Sequence, residues 1–148
     1  NSNVQQNQKI LSIAEDMRLV QQENEDSEEM LKLMDGTFAD VFSKIIEYKG
    51  YVSNTSVANL IRVSEGTIRN YLNGSSHPNL KTVVAICGGL CLPPDVSYAL
   101  IAKAGYKLGS RGVYIDYIYI HLIRCCYREG LEKWNERLRI VDSNECLP

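Results

Sequence analysis

The segment from Ser53 to Gly74, which reads SNTSVANLIRVSEGTIRNYLNG, predicts two short helices joined by a tight turn. Ser53 and Ser64 stand where a side-chain oxygen can accept a hydrogen bond from the free N–H groups of a helix's first turn. Gly74 is typical of the residue that follows a helix. Apolar residues recur at the spacing of a buried helix face, at Val57, Ala58, Leu60 and Ile61 and again at Ile68, Tyr71 and Leu72. Each helix therefore has its own start signal and its own buried face.

The outward face of the second helix carries small or hydrogen-bonding residues in place of bulky apolar ones. They are Glu65, Gly66, Thr67, Arg69 and Asn70, followed by Asn73 just past the helix. The segment resembles the lambda-repressor-like helix-turn-helix family, often called Xre-type. The resemblance is carried by Asn54, the Val57-Ala58 pair, the Val63-Ser64 turn, Ile68 and the terminal Asn73-Gly74.

In that family the second helix lies in the DNA major groove, with its N-terminal side chains against base edges. The resemblance implies an all-α, five-helix repressor-like helix-turn-helix bundle in a sequence-specific transcriptional regulator of bacteria or phages. Double-stranded DNA is then the expected partner. The alternative, since fold does not fix function, is a protein–protein interaction module built on the same fold, as part of a larger protein.

The resemblance also implies which residues contact DNA. Asn54 and Thr55, in the first turn of the first helix, and Ser64, at the start of the second, are placed to bond phosphates. Arg69 and Asn70 are the candidates for reading bases, because arginine pairs with guanine and asparagine with adenine through two hydrogen bonds. The other candidates are Glu65, Thr67, Asn73 and His77. Each has a structural alternative as a cap, a helix end or a solvated side chain.

Two residues depart from the family's pattern. Glu65, at the leading position of the second helix, repels phosphates, although it can accept a bond from cytosine. Arg62 occupies the turn position where the family commonly has glycine. We expect either a left-handed backbone at Arg62, at a cost of about 1 kcal/mol, or a turn of different shape.

The flanking sequence predicts three more helices between residues 37 and 106. Thr37 can cap a helix that ends at Lys49-Gly50, and Asn79 and Asp95 can open two later ones. The predicted inner residues of the first two are Phe38, Val41, Phe42, Ile45 and Ile46, then Leu80, Val83, Val84, Cys87 and Leu90. Residues 37–108 carry seven basic and four acidic side chains, a balance of +3 that supports phosphate contact weakly.

Residues 1–36 form an acidic helical extension or linker, with eight acidic and three basic side chains. One or two helical pieces are expected, separated by the polar stretch from Glu23 to Ser27. Apolar residues mark one stripe at Ile10, Ile13, Met17 and Val20 and a second at Met30, Leu31 and Met34. Two interpretations of this segment remain open, namely a solvated linker helix and a helix that binds a protein partner.

Residues 107–148 form a C-terminal extension in which only Asp116, His121 and Arg124 are clearly polar between residues 113 and 127. The β-branched and aromatic content also suits a strand. We favour a helix because the run is long and has no partner strand, and a last helix follows from about Leu131 to Ile140. The region loosely resembles the C-terminal extension of some repressor-like proteins. It either completes the core or makes a homodimer, whose two recognition helices can read a palindromic site.

Composition excludes several other classes of protein. No apolar run approaches the roughly 20 residues of a membrane span, and no signal peptide is visible, so a cytoplasmic protein without membrane contact is expected. Because the first residue is Asn1 and not methionine, we expect either a trimmed chain or a segment of something longer. The five cysteines include no C-x-x-C pair, and with Cys87 and Cys91 on the inner face of one helix they favour core packing over zinc. We expect no metal or cofactor.

Catalysis within this segment is not expected. The two histidines, His77 in a loop and His121 in an apolar run, have no metal-spaced or nucleophile–base companion visible in the sequence. A glycine-rich phosphate loop is also absent from the sequence.

Overall fold

The computed structural model describes residues 2–148, and the regular structure within them is entirely helical. Asn1 lies outside the described residues. The helices are α1 (Ser2–Leu31), α2 (Phe38–Tyr48), α3 (Asn54–Ile61), α4 (Glu65–Leu72), α5 (Leu80–Gly89), α6 (Pro94–Lys103), α7 (Tyr114–Cys125) and α8 (Leu131–Val141). A 3-10 turn, Tyr127–Glu129, joins the last two. The all-α prediction is confirmed, and the run from residue 113 is a helix and not a strand.

Four of the helices begin at the caps that the sequence predicts. Thr37, Ser53, Ser64 and Asn79 each accept a hydrogen bond from the backbone N–H three residues later. At α2 the bond is reciprocal, because the Asp40 carboxylate accepts from the Thr37 N–H. The start of α6 differs from the prediction: Pro93 is the capping residue and Pro94 opens the helix, one position before Asp95. Proline suits that position because first-turn N–H groups have no helical partner.

Helix α5 is the centre of the fold, with every residue from Thr82 to Gly89 buried. It packs against α3, α6, α7 and α8. Two consecutive glycines let neighbouring elements come close to its backbone. A Cβ placed on Gly88 would lie 2.6 Å from the ring of Trp134, and one on Gly89 would lie 2.6 Å from the carbonyl oxygen of Leu60. The absence of side chains at Gly88 and Gly89 therefore allows α8 and α3 to approach α5 closely.

Helices α7 and α8 share one hydrophobic cluster with the preceding helices. Trp134 is fully buried, and its indole N–H donates to the carbonyl of Cys126 at 2.8 Å. Asn135 binds the backbone of Leu147 in both directions, which holds the last residues against α8. The inner faces of the C-terminal helices are thus used to complete the core.

The loop before α7 is held by a buried carboxylate. Asp116 is fully buried, and its Oδ2 accepts from the backbone N–H of Gly109 at 3.1 Å. Both of its oxygens also bind the guanidinium of Arg111. The Arg111 hydrogen bond holds the pKa of Asp116 below its usual range. Asp116, one of the three polar residues in the apolar run at 113–127, is therefore a structural anchor.

Helix α1 is continuous through the stretch from Glu23 to Ser27, where the sequence suggested a separation. Its C-terminal third is attached to the rest of the protein. Met30 is buried, the Tyr48 hydroxyl donates to Asp26 at 3.0 Å, and Arg128 pairs with Glu23. Residues 2–22 are exposed throughout. The stripe at residues 10–20 therefore does not pack on the domain.

Two predicted inward-facing residues lie elsewhere. Leu60 is 37% exposed, because the close approach at Gly89 involves its backbone carbonyl and not its side chain. Cys91 was expected on the inner face of α5. It lies beyond the helix, with a positive φ of 51° and a half-buried side chain.

Candidate nucleic-acid interface

The turn between α3 and α4 is closed by a left-handed residue. Arg62 has φ 65° and ψ 42°, and its N–H donates to the carbonyl of Ala58 at 2.8 Å. The N–H of Val63 donates to the same oxygen at 3.1 Å. Of the two expectations for this position, the left-handed backbone is correct. The turn is compact because one carbonyl accepts both N–H groups.

Buried side chains fix the orientation of both helices. Val57, Ala58 and Ile61 hold α3 against the core, and Ile68 and Tyr71 hold α4. Helix α3 packs on α5, and α4 packs on α2. The opposite face of α4, which includes Arg69 and Asn70, is therefore left at the surface.

The start of each helix presents polar groups. In α3, Asn54 is half-buried and Thr55 is exposed. At the start of α4, the Ser64 Oγ accepts from the N–H of Thr67 at 3.1 Å, and the two hydroxyl oxygens lie 2.7 Å apart. A pair of hydroxyls that share one hydrogen retains one hydrogen for an outside acceptor. Ser64 and Thr67 can thus cap the helix and still donate to an anion.

Arg69 is not free in the isolated protein. Its Nη1 lies 3.1 Å from Oε2 of Glu65, one helical turn earlier, and the two side chains are 62% and 40% exposed. An exposed pair of this kind contributes about 0–1 kcal/mol, so a stronger ligand can displace it. The side-chain amide of Asn70, by contrast, has no hydrogen-bond partner among residues 2–148 and is exposed. Asn70 is available without any rearrangement.

Asn73 and His77 have partners within the protein. The Asn73 Oδ1 accepts from the N–H of Ser75 at 2.9 Å and shapes the turn after α4. The His77 Nε2 lies 2.8 Å from the carbonyl of Ala104, and its ring meets that of Phe38 edge-on. Since a carbonyl only accepts, Nε2 carries the hydrogen and Nδ1 of the neutral ring is an acceptor. Neutral His77 therefore offers no ring N–H to a phosphate.

An open cleft of about 450 Å³ lies beside the C-terminal end of α4. It is lined by Gly36, Thr37, Phe38, Ala39, Tyr71, Gly74, Ser76, His77 and Lys103. Sequence reasoning did not select Lys103, which comes from α6 and reaches this surface only through the fold. Its sole signal in the sequence is its contribution to the positive balance of residues 37–108.

No group of three or more His, Cys, Asp or Glu side chains in residues 2–148 could hold a metal ion. The thiols are free, and burial raises the pKa of Cys87 to about 12, so that it stays protonated at neutral pH. None of the helices described is sufficiently long and apolar to cross a membrane.

Comparisons of the chain with protein-family models, with curated proteins and with solved structures found no match. The geometry of α3, α4 and the turn between them is therefore the principal support for any function.

Proposed function

We propose that this chain is a sequence-specific DNA-binding transcriptional regulator in which α2 to α6 form a repressor-like helix-turn-helix bundle. The observation that carries the proposal is the arrangement of α3 and α4. Both are eight residues long, both are capped by a serine, and a two-hydrogen-bond turn at Arg62 joins them. The buried face of each helix leaves a polar face outside, which is what insertion into a groove requires.

The two helix starts supply the phosphate contacts in this proposal. Helix N-termini attract anions through free N–H groups and the helix dipole. Asn54, Thr55 and Ser64 lie at these starts, and the hydroxyl pair of Ser64 and Thr67 retains a hydrogen to donate. Contacts of this type set the position of the protein on the duplex and carry no base preference.

Base reading is assigned to Arg69 and Asn70 on α4. Asn70 faces solvent with a free amide, which suits a two-bond contact with adenine. Arg69 must exchange its ion pair with Glu65 for guanine, and the released carboxylate can accept from a cytosine amino group. The internal pair thus keeps both side chains near the groove-facing surface in the absence of DNA.

A protein–protein interaction module is the second candidate. The observation that favours it is α1, whose residues 2–22 are exposed and include several apolar side chains. The acidic balance of residues 1–36 also opposes phosphate contact by that helix. DNA binding and protein binding differ in salt dependence, because only the former releases counterions.

The test is selection of bound sequences from random duplex DNA at low and moderate salt. We expect an enriched motif, with binding that weakens steeply as salt increases. Arg69→Ala is expected to lower affinity and to relax base preference at one position, by about 1–3 kcal/mol. Lys133→Ala is the matched control, because Lys133 also forms an exposed pair, with Glu136 at 3.4 Å on α8. No retained DNA at low salt would overturn the proposal in favour of the protein-binding module.

A further inference from the structure

We propose that α1 pairs with α1 of a second copy in an antiparallel two-stranded coiled coil. The inference concerns α1 and is independent of whether α4 binds DNA. It starts from the half of the helix that the domain does not cover. Ile10, Ile13, Met17 and Val20 are 64%, 59%, 67% and 54% exposed. These four residues are called the α1 stripe below.

The spacing of the α1 stripe is that of a coiled-coil seam. The intervals between its members are three, four and three residues, as for alternating a and d positions of a heptad. A seam of this width fits one facing helix, whereas a helix on a globular core has a broader apolar face. The occupant that the pattern favours is therefore a single helix.

The α1 stripe does not face the domain to which α1 is attached. Glu23, Asp26 and Met30 mark the side that contacts the domain, through Arg128, Tyr48 and the core. At 3.6 residues per turn, the stripe lies about 120° around the helix from that side. A second helix can therefore lie along the stripe beside the domain.

The α1 stripe is symmetric about residue 15, which makes it complementary to a reversed copy of itself. In an antiparallel pair, Ile10 faces Val20 of the second copy, and Ile13 faces Met17 of the second copy. The same register aligns Lys9 with Gln21 of the second copy, two residues from the Glu23 of that copy, which is an attractive contact.

The acidic side chains near the C-terminal end of α1 favour an antiparallel over a parallel pair of helices. Residues 23–29 contain five acidic side chains and no basic one. A parallel pair places these two acidic segments side by side, with Glu23 next to Glu28 of the second copy. The antiparallel register places residues 2–7 of the second copy there, and these carry no charged side chain. Like charges in contact disfavour the parallel arrangement.

The pairing has a geometric consequence. Residue 23 of one copy, where α1 begins to contact its domain, is aligned with residue 7 of the other. At 1.5 Å per residue, the two attachment points are about 24 Å apart along the coiled coil. The two domains then lie at opposite ends of the paired helices, related by a two-fold axis.

Sedimentation of the full chain at micromolar concentration tests the pairing. We expect a dimer, and we expect Ile13→Glu to shift it to monomer while its circular dichroism retains the helical domain. Leu19→Glu is the matched control, because Leu19 is 52% exposed on the other side of the same helix and the charge change is identical. This variant is expected to remain dimeric. A monomeric wild-type chain, or a dimer that survives Ile13→Glu, would overturn the inference.

Disulfide cross-linking tests the direction. Chains carrying Ile10→Cys are mixed with chains carrying Val20→Cys and oxidised, and tryptic peptides are identified by mass spectrometry. Cleavage after Lys9 and Arg18 separates the two positions, so native cysteines do not confuse the result. The antiparallel pair predicts the mixed 10–20 disulfide. Predominant 10–10 and 20–20 disulfides would show a parallel pair and contradict the proposal.

Discussion

The indole ring of Trp134 lies directly against the backbone of Gly88, with no room between them for a methyl group. The ring cannot easily move away, because its N–H is bonded to the carbonyl of Cys126 and it is fully buried. This contact joins the last helix to the central one.

Gly88→Ala is therefore expected to destabilise the protein. Alanine normally stabilises a helix interior relative to glycine by about 1 kcal/mol, but here its Cβ would meet the ring at 2.6 Å. Overpacking of this kind costs about 1–3 kcal/mol, measurable as a lower midpoint of urea unfolding. Gly66→Ala is the control, since its nearest neighbour is a flexible arginine atom at 3.7 Å. That variant should be neutral or slightly more stable, and equal stability of the two variants would contradict the close contact.

Asp116→Asn is expected to lower stability at neutral pH by about 1–3 kcal/mol, because Arg111 loses its charged partner. The pKa of Asp116 is lowered by that hydrogen bond in the folded protein. The ion pair therefore stabilises the protein fully at any pH above the pKa of Asp116 in the unfolded chain, about 3.9. This stabilisation is lost as the pH falls through the lower pKa that Asp116 has in the folded protein. Urea unfolding of both proteins between pH 7 and pH 2 should show the difference shrinking on acidification. A difference that is independent of pH would argue against the ion pair, and Asp95→Asn, at an exposed site, is the control.

Arg62→Gly is expected to stabilise the protein. A φ of 65° strains a residue that carries a side chain by about 1–2 kcal/mol. Glycine instead raises the conformational entropy of the unfolded chain, which lowers the free energy of unfolding by about 0.4–1 kcal/mol. A net gain of several tenths of a kcal/mol should appear in thermal or urea unfolding. The reverse change is the control: Gly74 has φ 77° with open space around it, so Gly74→Ala should be destabilising.

Glu65→Gln is expected to increase affinity for non-specific duplex DNA at low salt. The change removes a negative charge near the phosphates and releases Arg69 from its ion pair. Fluorescence anisotropy with a labelled duplex would measure this. Glu136→Gln, in the corresponding pair on α8, should leave affinity unchanged. Equal increases in both variants would indicate a general charge effect and not a contact through α4.

The sequence was sufficient for features that depend on neighbouring residues. The caps at Thr37, Ser53, Ser64 and Asn79 are local hydrogen bonds, and the order of residue types specifies them. Features that depend on distant residues were missed. Continuity of α1 through Glu23 accompanies contacts with Tyr48 and Arg128, far along the chain.

In the candidate interface, too, the features that depend on neighbouring residues could be predicted and those that depend on distant residues could not. Exposure of Arg69 and Asn70 followed from helical spacing, which the structure reproduces. The ion pair of Arg69 with Glu65 could have been found from their four-residue spacing. The bond between His77 and Ala104 could not, because the two residues are 27 positions apart and only the packing of α6 brings them together.

The burial of α5 on all sides has a consequence for the dynamics of the whole molecule. Amide hydrogens in such a helix exchange with solvent only when the protein unfolds globally, whereas frayed or exposed helices exchange locally. Because Gly88 contacts α8 and the next residue contacts α3, exchange along α5 reports on the C-terminal helices and on the α3–α4 pair together. We therefore expect the slowest amides of this protein in the helix that connects those two regions, whereas local loosening of either region would first speed exchange in that region's own helices.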